Sequence, residues 1–153
     1  MPPRRHSISD VREALLVAAY EYCLITVPVG AYVGVEAFAK RDAAFLVKSP
    51  EWAIATIFLL FQGSSLFASR LDQAGRKLSR VPLALFAMLV TLLMVTATIN
   101  SYYSLELMHD HRPDTGPTIV FRATLFLIAS ILFFLLVASG KLAVARTRKQ
   151  SHG

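Results

Sequence analysis

A-L-L-V-A-A-Y-E-Y-C-L-I-T-V-P-V-G-A-Y-V-G-V-E-A-F, the stretch Ala14–Phe38, decides the fold. A helix needs about 20 mostly apolar residues to cross a bilayer, and this stretch is long enough. It also carries Glu21, Pro28 and Glu36 inside the apolar run. An acidic side chain within a membrane is costly, so each of the two acids marks a candidate functional position.

Three further runs contain no charged residue: Trp52–Ser69, Val81–Leu105 and Ala123–Gly140. The 153-residue chain is 55% hydrophobic and 17% charged, against about 45–50% and about 25% in soluble domains. A soluble four-helix bundle would need polar residues at helical spacing, and the last two runs lack them. We therefore predict an all-α fold, a single polytopic membrane domain over residues 1–153. Its four transmembrane helices are expected at about residues 10–39, 50–69, 82–105 and 118–142.

The distribution of basic residues predicts the orientation. Of the 16 lysine and arginine residues, three precede the apolar run that begins at Ala14, four lie between Ser69 and Val81, and four follow Gly140. The positive-inside rule then places the N-terminus, the C-terminus and the second loop in the cytoplasm. The tyrosine and tryptophan residues Trp52, Tyr102 and Tyr103 fall at the outer interface. This topology explains the net charge of +6 without a nucleic-acid partner, and we expect a multi-pass protein of the bacterial inner membrane.

The start of the chain allows one alternative, a cleaved signal peptide, because Arg4, Arg5 and Arg12 precede the apolar run. That run is too long for a signal, contains Glu21 and lacks a small-residue cleavage site. We therefore expect an uncleaved first helix.

Basic residues on the cytoplasmic side form a candidate docking surface for a soluble partner or anionic lipid. They lie in the second loop and in the tail, residues 143–153, which we expect to be disordered. The candidates are Arg70, Arg76, Lys77, Arg80, Arg146, Arg148 and Lys149.

The first span has two different faces when drawn at about 100° per residue. One face carries Glu21, Ile25, Pro28, Tyr32 and Glu36. The other is a stripe of small residues, of the kind that lets helix backbones approach closely. We expect the small stripe to pack on a neighbouring helix and the acidic face to meet a polar interior or water. The stripe consists of Ala19, Cys23, Thr26, Gly30, Gly34 and Ala37.

The two acids carry different expectations. Glu36 and Arg122 lie near the outer ends of their spans, and we expect a structural ion pair, with a transport role as the alternative. Glu21 lies about two turns from the cytoplasmic side, without a lysine or arginine at that depth. It is expected to be protonated and hydrogen-bonded, to reach the inner surface, or to line an ion path. Its candidate partners are Gln62, Ser64 and Ser65, in a segment that forms a helix contact or a local break.

The remaining polar groups do not indicate an enzyme. Asn100 ends the third apolar run, and the loop after it contains His109, Asp110 and His111. An H-x-H pair is not a structural zinc spacing, and the single thiol, Cys23, lies elsewhere, so a solvated loop is favoured over a metal site. There is no nucleophile–base arrangement, phosphate loop or cofactor fingerprint, so we expect no enzymatic activity and no cofactor.

Two function hypotheses follow. The first is a homo-oligomeric ion channel or transporter with the first span near the path, because an acidic face is satisfied more easily between copies. The second is a membrane-embedded sensor, anchor or interaction subunit that docks a soluble cytoplasmic partner, as in paired stress-response or phage-defence systems. Ion flux that Glu21→Gln abolishes would favour the first hypothesis.

Overall fold

A computed structural model of the protein describes the backbone of residues 8–75, 80–109 and 116–151. Side chains are described over the same ranges except at positions 80–83, 107–109 and 148–151. Within these residues the chain forms helices joined by turns, without a β-strand, which confirms the all-α fold class. The helices are α1 (Ile8–Lys40), α2 (Phe45–Lys48), α3 (Glu51–Gln73), α4 (Arg80–His109) and α5 (Gly116–Ser151).

Four of these helices, α1, α3, α4 and α5, are long and apolar enough to cross a membrane. Their outer faces expose large apolar side chains such as Tyr20, Leu92 and Leu127, as expected where helices contact lipid. The chain is therefore an integral, multi-pass membrane protein. Four crossings return the chain to the side on which it starts.

The spanning helices extend beyond the predicted apolar runs. α3 continues to Gln73 instead of ending at residue 69, and α5 continues to Ser151 instead of ending at residue 142. The expectation of a disordered tail is thus wrong up to Ser151. The physical reason is composition, because the leucine, alanine, lysine, arginine and glutamine residues that follow Gly140 are good helix formers. The single turn α2 was not predicted.

Local hydrogen bonds end the first two spans. After α1, Arg41 adopts a φ of 53°. The Asp42 N–H donates to Ala37 O and the Arg41 N–H donates to Phe38 O, both at 3.1 Å, which is the Schellman pattern. After α3, Gly75 adopts a φ of 62°, which a residue without a Cβ reaches without strain.

The core lies between α3 and α5, the pair of helices in most extensive contact. Phe133 and Val137 of α5 and Leu59 and Leu60 of α3 are at most 1% exposed. Gly63 permits this close approach, because a Cβ at that position would lie 3.1 Å from Phe133 Cδ2. The polar segment around Gly63 is continuous helix. It is therefore a contact surface, as the sequence favoured, and not a break.

Candidate functional site

Arg122 is the largest fully buried side chain in the described part of the chain, with 1% of its surface exposed. It lies near the start of α5, and each nitrogen of its guanidinium group donates to a different acceptor. The acceptors are Asn100 Oδ1 at 3.1 Å from Nε, the Lys48 carbonyl for Nη1, and Ser104 Oγ for Nη2. Asn100 and Ser104 are four residues apart and so share one face of α4. We call these four residues the Arg122 cluster.

The Arg122 cluster joins α5 to α4 and, at Lys48, to the connection between α1 and α3, which consists of residues 41–50 and includes α2. A buried guanidinium costs several kcal/mol unless its N–H groups are hydrogen-bonded, and three neutral oxygens of described residues accept such bonds here. The connection is also held by its own side chains. Ser49 Oγ donates to the Glu51 carboxylate, and Trp52 Nε1 donates to Leu46 O at 2.7 Å. The end of the bundle that contains Lys48 is therefore fixed by several independent bonds.

The predicted ion pair between Glu36 and Arg122 is wrong. The Glu36 carboxylate lies 3.0 Å from Lys40 Nζ, one turn further along α1. Lys40 Nζ also lies 3.9 Å from the centre of the Phe45 ring. A partner four residues away on the same helix is reached without any interhelical docking, whereas Arg122 is occupied by the acceptors of its cluster. Glu36 therefore forms a partly exposed pair within α1.

A second buried arginine, Arg70, lies in the last turn of α3 and is 8% exposed. Its Nη1 donates to the Val137 carbonyl of α5 at 2.8 Å. Gly140 makes room for it, because a Cβ there would lie 3.1 Å from Arg70 Cδ. The prediction that Arg70 belongs to the docking surface is therefore wrong, because its side chain is buried between α3 and α5.

Arg70 also contributes a positive charge to the surroundings of Glu21. The partly buried Glu21 carboxylate attracts the Arg70 guanidinium, although no pair of their atoms in the described structure comes within direct salt-bridge distance. The statement that no basic residue lies at the depth of Glu21 is therefore wrong. The error has a physical source: the charge-free run stops at Ser69, but the helix continues for another turn.

The polar residues that were predicted to bond Glu21 are Gln62, Ser64 and Ser65, and they have other surroundings in the structure. Ser64 Oγ donates to Leu60 O of its own helix at 2.6 Å, which is how hydroxyl groups are commonly satisfied in apolar helices. Ser65 is exposed and Gln62 is partly buried. Among the described residues, none of the three bonds the Glu21 carboxylate.

The packing face of α1 lies between the two faces drawn from the sequence. Its buried residues are Ala14, Ala18, Val33 and Ala37. Tyr22 lies on the same side, with its hydroxyl 3.1 Å from Ser130 Oγ of α5 and its ring 5.2 Å from the ring of Phe134. A large aromatic side chain, rather than the stripe of small residues, therefore sets how α1 packs on α5.

The predicted small stripe is only partly used. Ala37 is buried, and Ala19 and Thr26 are partly buried, but Cys23 is exposed. A Cβ on Gly30 would lie 3.8 Å from Trp52, and one on Gly34 would meet no atom within 4 Å. On the predicted acidic face, Pro28 and Tyr32 are exposed, while Ile25 packs against the core. Neither face is thus wholly internal or wholly external.

Several predicted site residues lie outside the residues whose side chains are described. They are the metal candidates His109, Asp110 and His111 and the docking candidates Arg76, Lys77, Arg80, Arg148 and Lys149. Of the docking candidates with a described side chain, Arg146 is exposed on α5. Over the described residues, no group of three or more histidine, cysteine, aspartate or glutamate side chains is placed to hold a metal ion.

Sequence reasoning missed Ser104 and the Lys48 carbonyl as acceptors for Arg122. The spacing of Asn100 and Ser104 was an available signal, because two polar residues four apart in an apolar run share a helix face. A backbone carbonyl on another element leaves no such signal in the sequence.

The two buried arginines contact α5 at positions that lie far apart along this helix. Arg122 and the Arg70-bonded Val137 are separated by 15 positions in the sequence, or about 22 Å along a helix. Both arginines hold helices together and are buried. Residues that could contact a partner must therefore lie elsewhere on the protein. In comparison with known proteins, no family model, no curated protein and no solved structure matches the chain. Function therefore has to be inferred from the site itself.

Proposed function

We propose that this protein is a membrane-embedded interaction subunit that docks a soluble cytoplasmic partner. The observation that carries the proposal is the unbroken helix α5, which has 36 residues and ends at Ser151. At about 1.5 Å per residue this helix is about 54 Å long, whereas the hydrocarbon layer is about 30 Å thick. Because the charge-free run ends at Gly140, the residues after it project from the membrane. We call the segment from Lys141 to Ser151 the basic end.

The basic end is fixed to the neighbouring helix. Thr147 Oγ1 lies 3.3 Å from the carbonyl oxygen of Ala74, at the end of α3. One turn before the basic end, Arg70 donates to the Val137 carbonyl at 2.8 Å. A surface that is ordered before binding avoids the entropic cost of ordering at binding. The basic end is thus better suited to docking than a flexible tail would be.

Charge indicates the kind of partner. The basic end carries Lys141, Arg146, Arg148 and Lys149 and contains no acidic residue. Such a surface complements an acidic protein surface. For a helix near the membrane normal, the 11 residues of this segment extend about 16 Å, beyond a headgroup layer of about 5–8 Å. Its last turn therefore reaches past lipid headgroups, which favours a soluble protein over a lipid as the partner.

The proposal places both termini in the cytoplasm and the protein in a bacterial inner membrane. Eleven of the 16 lysine and arginine residues lie on the side of the termini, which supports this orientation.

An ion path along α1 is less well supported. A cation held at Glu21 would experience the positive charge of Arg70, which repels it. The two acids within the apolar part of α1 have cations in the same chain, since Glu36 pairs with Lys40 and Glu21 interacts with the charge of Arg70, so their charge does not require a second copy. Homo-oligomerisation stays a prediction, checked by the mass of the detergent-solubilised particle. Cation flux in liposomes that Glu21→Gln abolishes would favour the ion path instead.

The docking proposal is tested by copurification from membranes of the native host. The test variant combines Arg146→Glu with Lys149→Glu, and the control is Lys48→Glu, an exposed lysine at the other end of the bundle. We expect an acidic soluble protein to copurify with the wild type and the control, and to fall at least about tenfold in the test variant through like-charge repulsion. Equal recovery with all three proteins would contradict the proposal. A topology reporter at the C-terminus shows whether the substitutions have altered the orientation.

A further inference from the structure

A groove of about 590 Å³ lies between α4 and α5, beside the Arg122 cluster and away from the chain ends. Its walls include Ile99 and Tyr103 of α4 and Pro117 and Phe121 of α5, and Asn100 also lines it. The volume falls within the range of about 300–1,000 Å³ that is typical of small-molecule sites. The threonines Thr96 and Thr118 also line the groove, and Thr96 Oγ1 donates to Leu92 O of its own helix. The groove thus combines mainly apolar walls with two hydroxyl groups and one buried amide.

Of the two polar atoms in the Asn100 side-chain amide, only the oxygen has a hydrogen-bond partner among the described residues. Its side chain is 6% exposed, and its Oδ1 accepts a hydrogen bond from Arg122 Nε. Because a guanidinium group only donates, this bond fixes the amide oxygen towards Arg122 and the amide nitrogen away from it. Among the described residues, no oxygen accepts a hydrogen bond from Asn100 Nδ2. A buried donor without an acceptor is costly, and such groups usually have an unseen partner.

We propose that this groove binds one membrane phospholipid, with an ester carbonyl oxygen accepting a hydrogen bond from Asn100 Nδ2. The apolar walls would contact the start of an acyl chain. Arg122 is hydrogen-bonded to the oxygen of the same amide. Its positive charge polarises the amide N–H group and makes it a stronger hydrogen-bond donor. The groove thus places the unpaired N–H donor of Asn100 beside an apolar surface that an acyl chain can cover.

Depth favours the ester carbonyl over other lipid oxygens. Arg122, which contacts Asn100, also reaches the Lys48 carbonyl in the connection between two spans. Tyr102 and Tyr103, two and three residues after Asn100, are of the type that marks a membrane interface. Asn100 therefore lies just inside the interface, where the glycerol esters separate headgroups from acyl chains.

Asn100→Asp separates lipid binding from folding. The substituted carboxylate keeps an oxygen for Arg122 and adds an opposite charge, so the bundle should stay folded. It replaces the Nδ2 donor by an oxygen that repels a carbonyl. Thr98→Val is the matched control, since Thr98 is exposed on the same helix and its hydroxyl donates to the backbone of that helix, at Met94 O.

The test is native mass spectrometry of the full-length protein, purified in mild detergent, with measurement of bound lipid. We expect about one phospholipid per chain on the wild type and on Thr98→Val, and at least about fivefold less on Asn100→Asp, the factor for one net hydrogen bond. Ile99→Trp, which fills the groove from an exposed position, should lower occupancy as well. Equal lipid on Asn100→Asp and the wild type would overturn the proposal.

A second measurement tests the ester itself. Delipidated protein is titrated with phosphatidylglycerol and with its ether-linked analogue, which lacks the ester carbonyls. We expect the ester lipid to bind about fivefold more tightly to the wild type and both lipids to bind Asn100→Asp equally. Equal binding of the two lipids to the wild type would overturn the assignment. Retention of only detergent or an isoprenoid quinone, in place of a phospholipid, would overturn it as well.

Discussion

Replacing Arg122 by methionine should weaken the whole bundle, because this one side chain joins α5 to α4 and to the connection between α1 and α3. Methionine has a similar length but no donor. The substitution leaves the amide oxygen of Asn100, the hydroxyl of Ser104 and the carbonyl of Lys48 without the guanidinium that now bonds them. Asn100 and Ser104 are 6% and 1% exposed, so water cannot easily replace the lost donor.

The magnitude follows from the number of bonds. Hydrogen bonds to charged groups contribute about 1.5–3 kcal/mol each in soluble proteins, and side-chain bonds between membrane helices average about 0.6 kcal/mol. Removal of the cation also recovers part of its desolvation cost. For three bonds we expect Arg122→Met to lower the free energy of unfolding by about 2–4 kcal/mol.

Unfolding by sodium dodecyl sulfate in mixed micelles measures this change. Trp52 is the only tryptophan. It lies in the first turn of α3 and donates to Leu46 O of α2, the helix whose last carbonyl Arg122 bonds, so its fluorescence reports the transition. Arg41→Met, at an exposed arginine near the same end, is the control and should change stability by less than about 0.5 kcal/mol. A loss below about 0.5 kcal/mol for Arg122→Met, or an equal loss in the control, would refute the reasoning.

A compensating variant checks the cause. If orphaned acceptors produce the loss, adding Asn100→Leu and Ser104→Ala to Arg122→Met should recover part of the stability, because no buried polar side chain is then left unpaired. Further destabilisation in the triple variant would mean that packing, not hydrogen bonding, is the main contribution of Arg122.

Three further predictions concern the other helix contacts and use the same unfolding assay. Gly63→Ala should lose about 1–3 kcal/mol through overpacking against Phe133, whereas Gly34→Ala, where the added Cβ meets nothing within 4 Å, should lose nothing; similar effects at both sites would contradict the α3–α5 contact. A double-mutant cycle of Glu21→Gln and Arg70→Met should give a coupling energy of about 0.5 kcal/mol or more, and additive effects would show that the two charges act independently. Tyr22→Phe should cost about 0.6 kcal/mol through its bond to α5, and an unchanged midpoint would place that hydroxyl in lipid or water.

The spans were predictable because they depend on composition. Runs without charge, such as Val81–Leu105, give the number and approximate position of the spanning helices, since hydrocarbon excludes charged residues. The same rule failed at the edges. Arg70 directly follows such a run and was therefore assigned to a loop. In the structure the helix continues past it, and Gly140 leaves space for its side chain between α3 and α5.

Polar partners were less predictable than spans. Glu36 was matched to Arg122 by depth alone, but depth does not fix the rotation of a helix about its axis. In the structure, Glu36 bonds Lys40 on its own helix, and Arg122 takes two side chains and a backbone carbonyl. The carbonyl belongs to the connection at Lys48, whose position depends on how the whole bundle packs.

Photo-crosslinking in living cells can show whether the basic end of α5 holds a soluble partner. A photoreactive amino acid replaces Arg146 in the basic end or, as a control, Leu127, which is 60% exposed in the middle of the span. The account predicts an adduct with one acidic soluble protein from position 146 and none from position 127. Lipid adducts alone at both positions, or the same protein adducts from both, would contradict it.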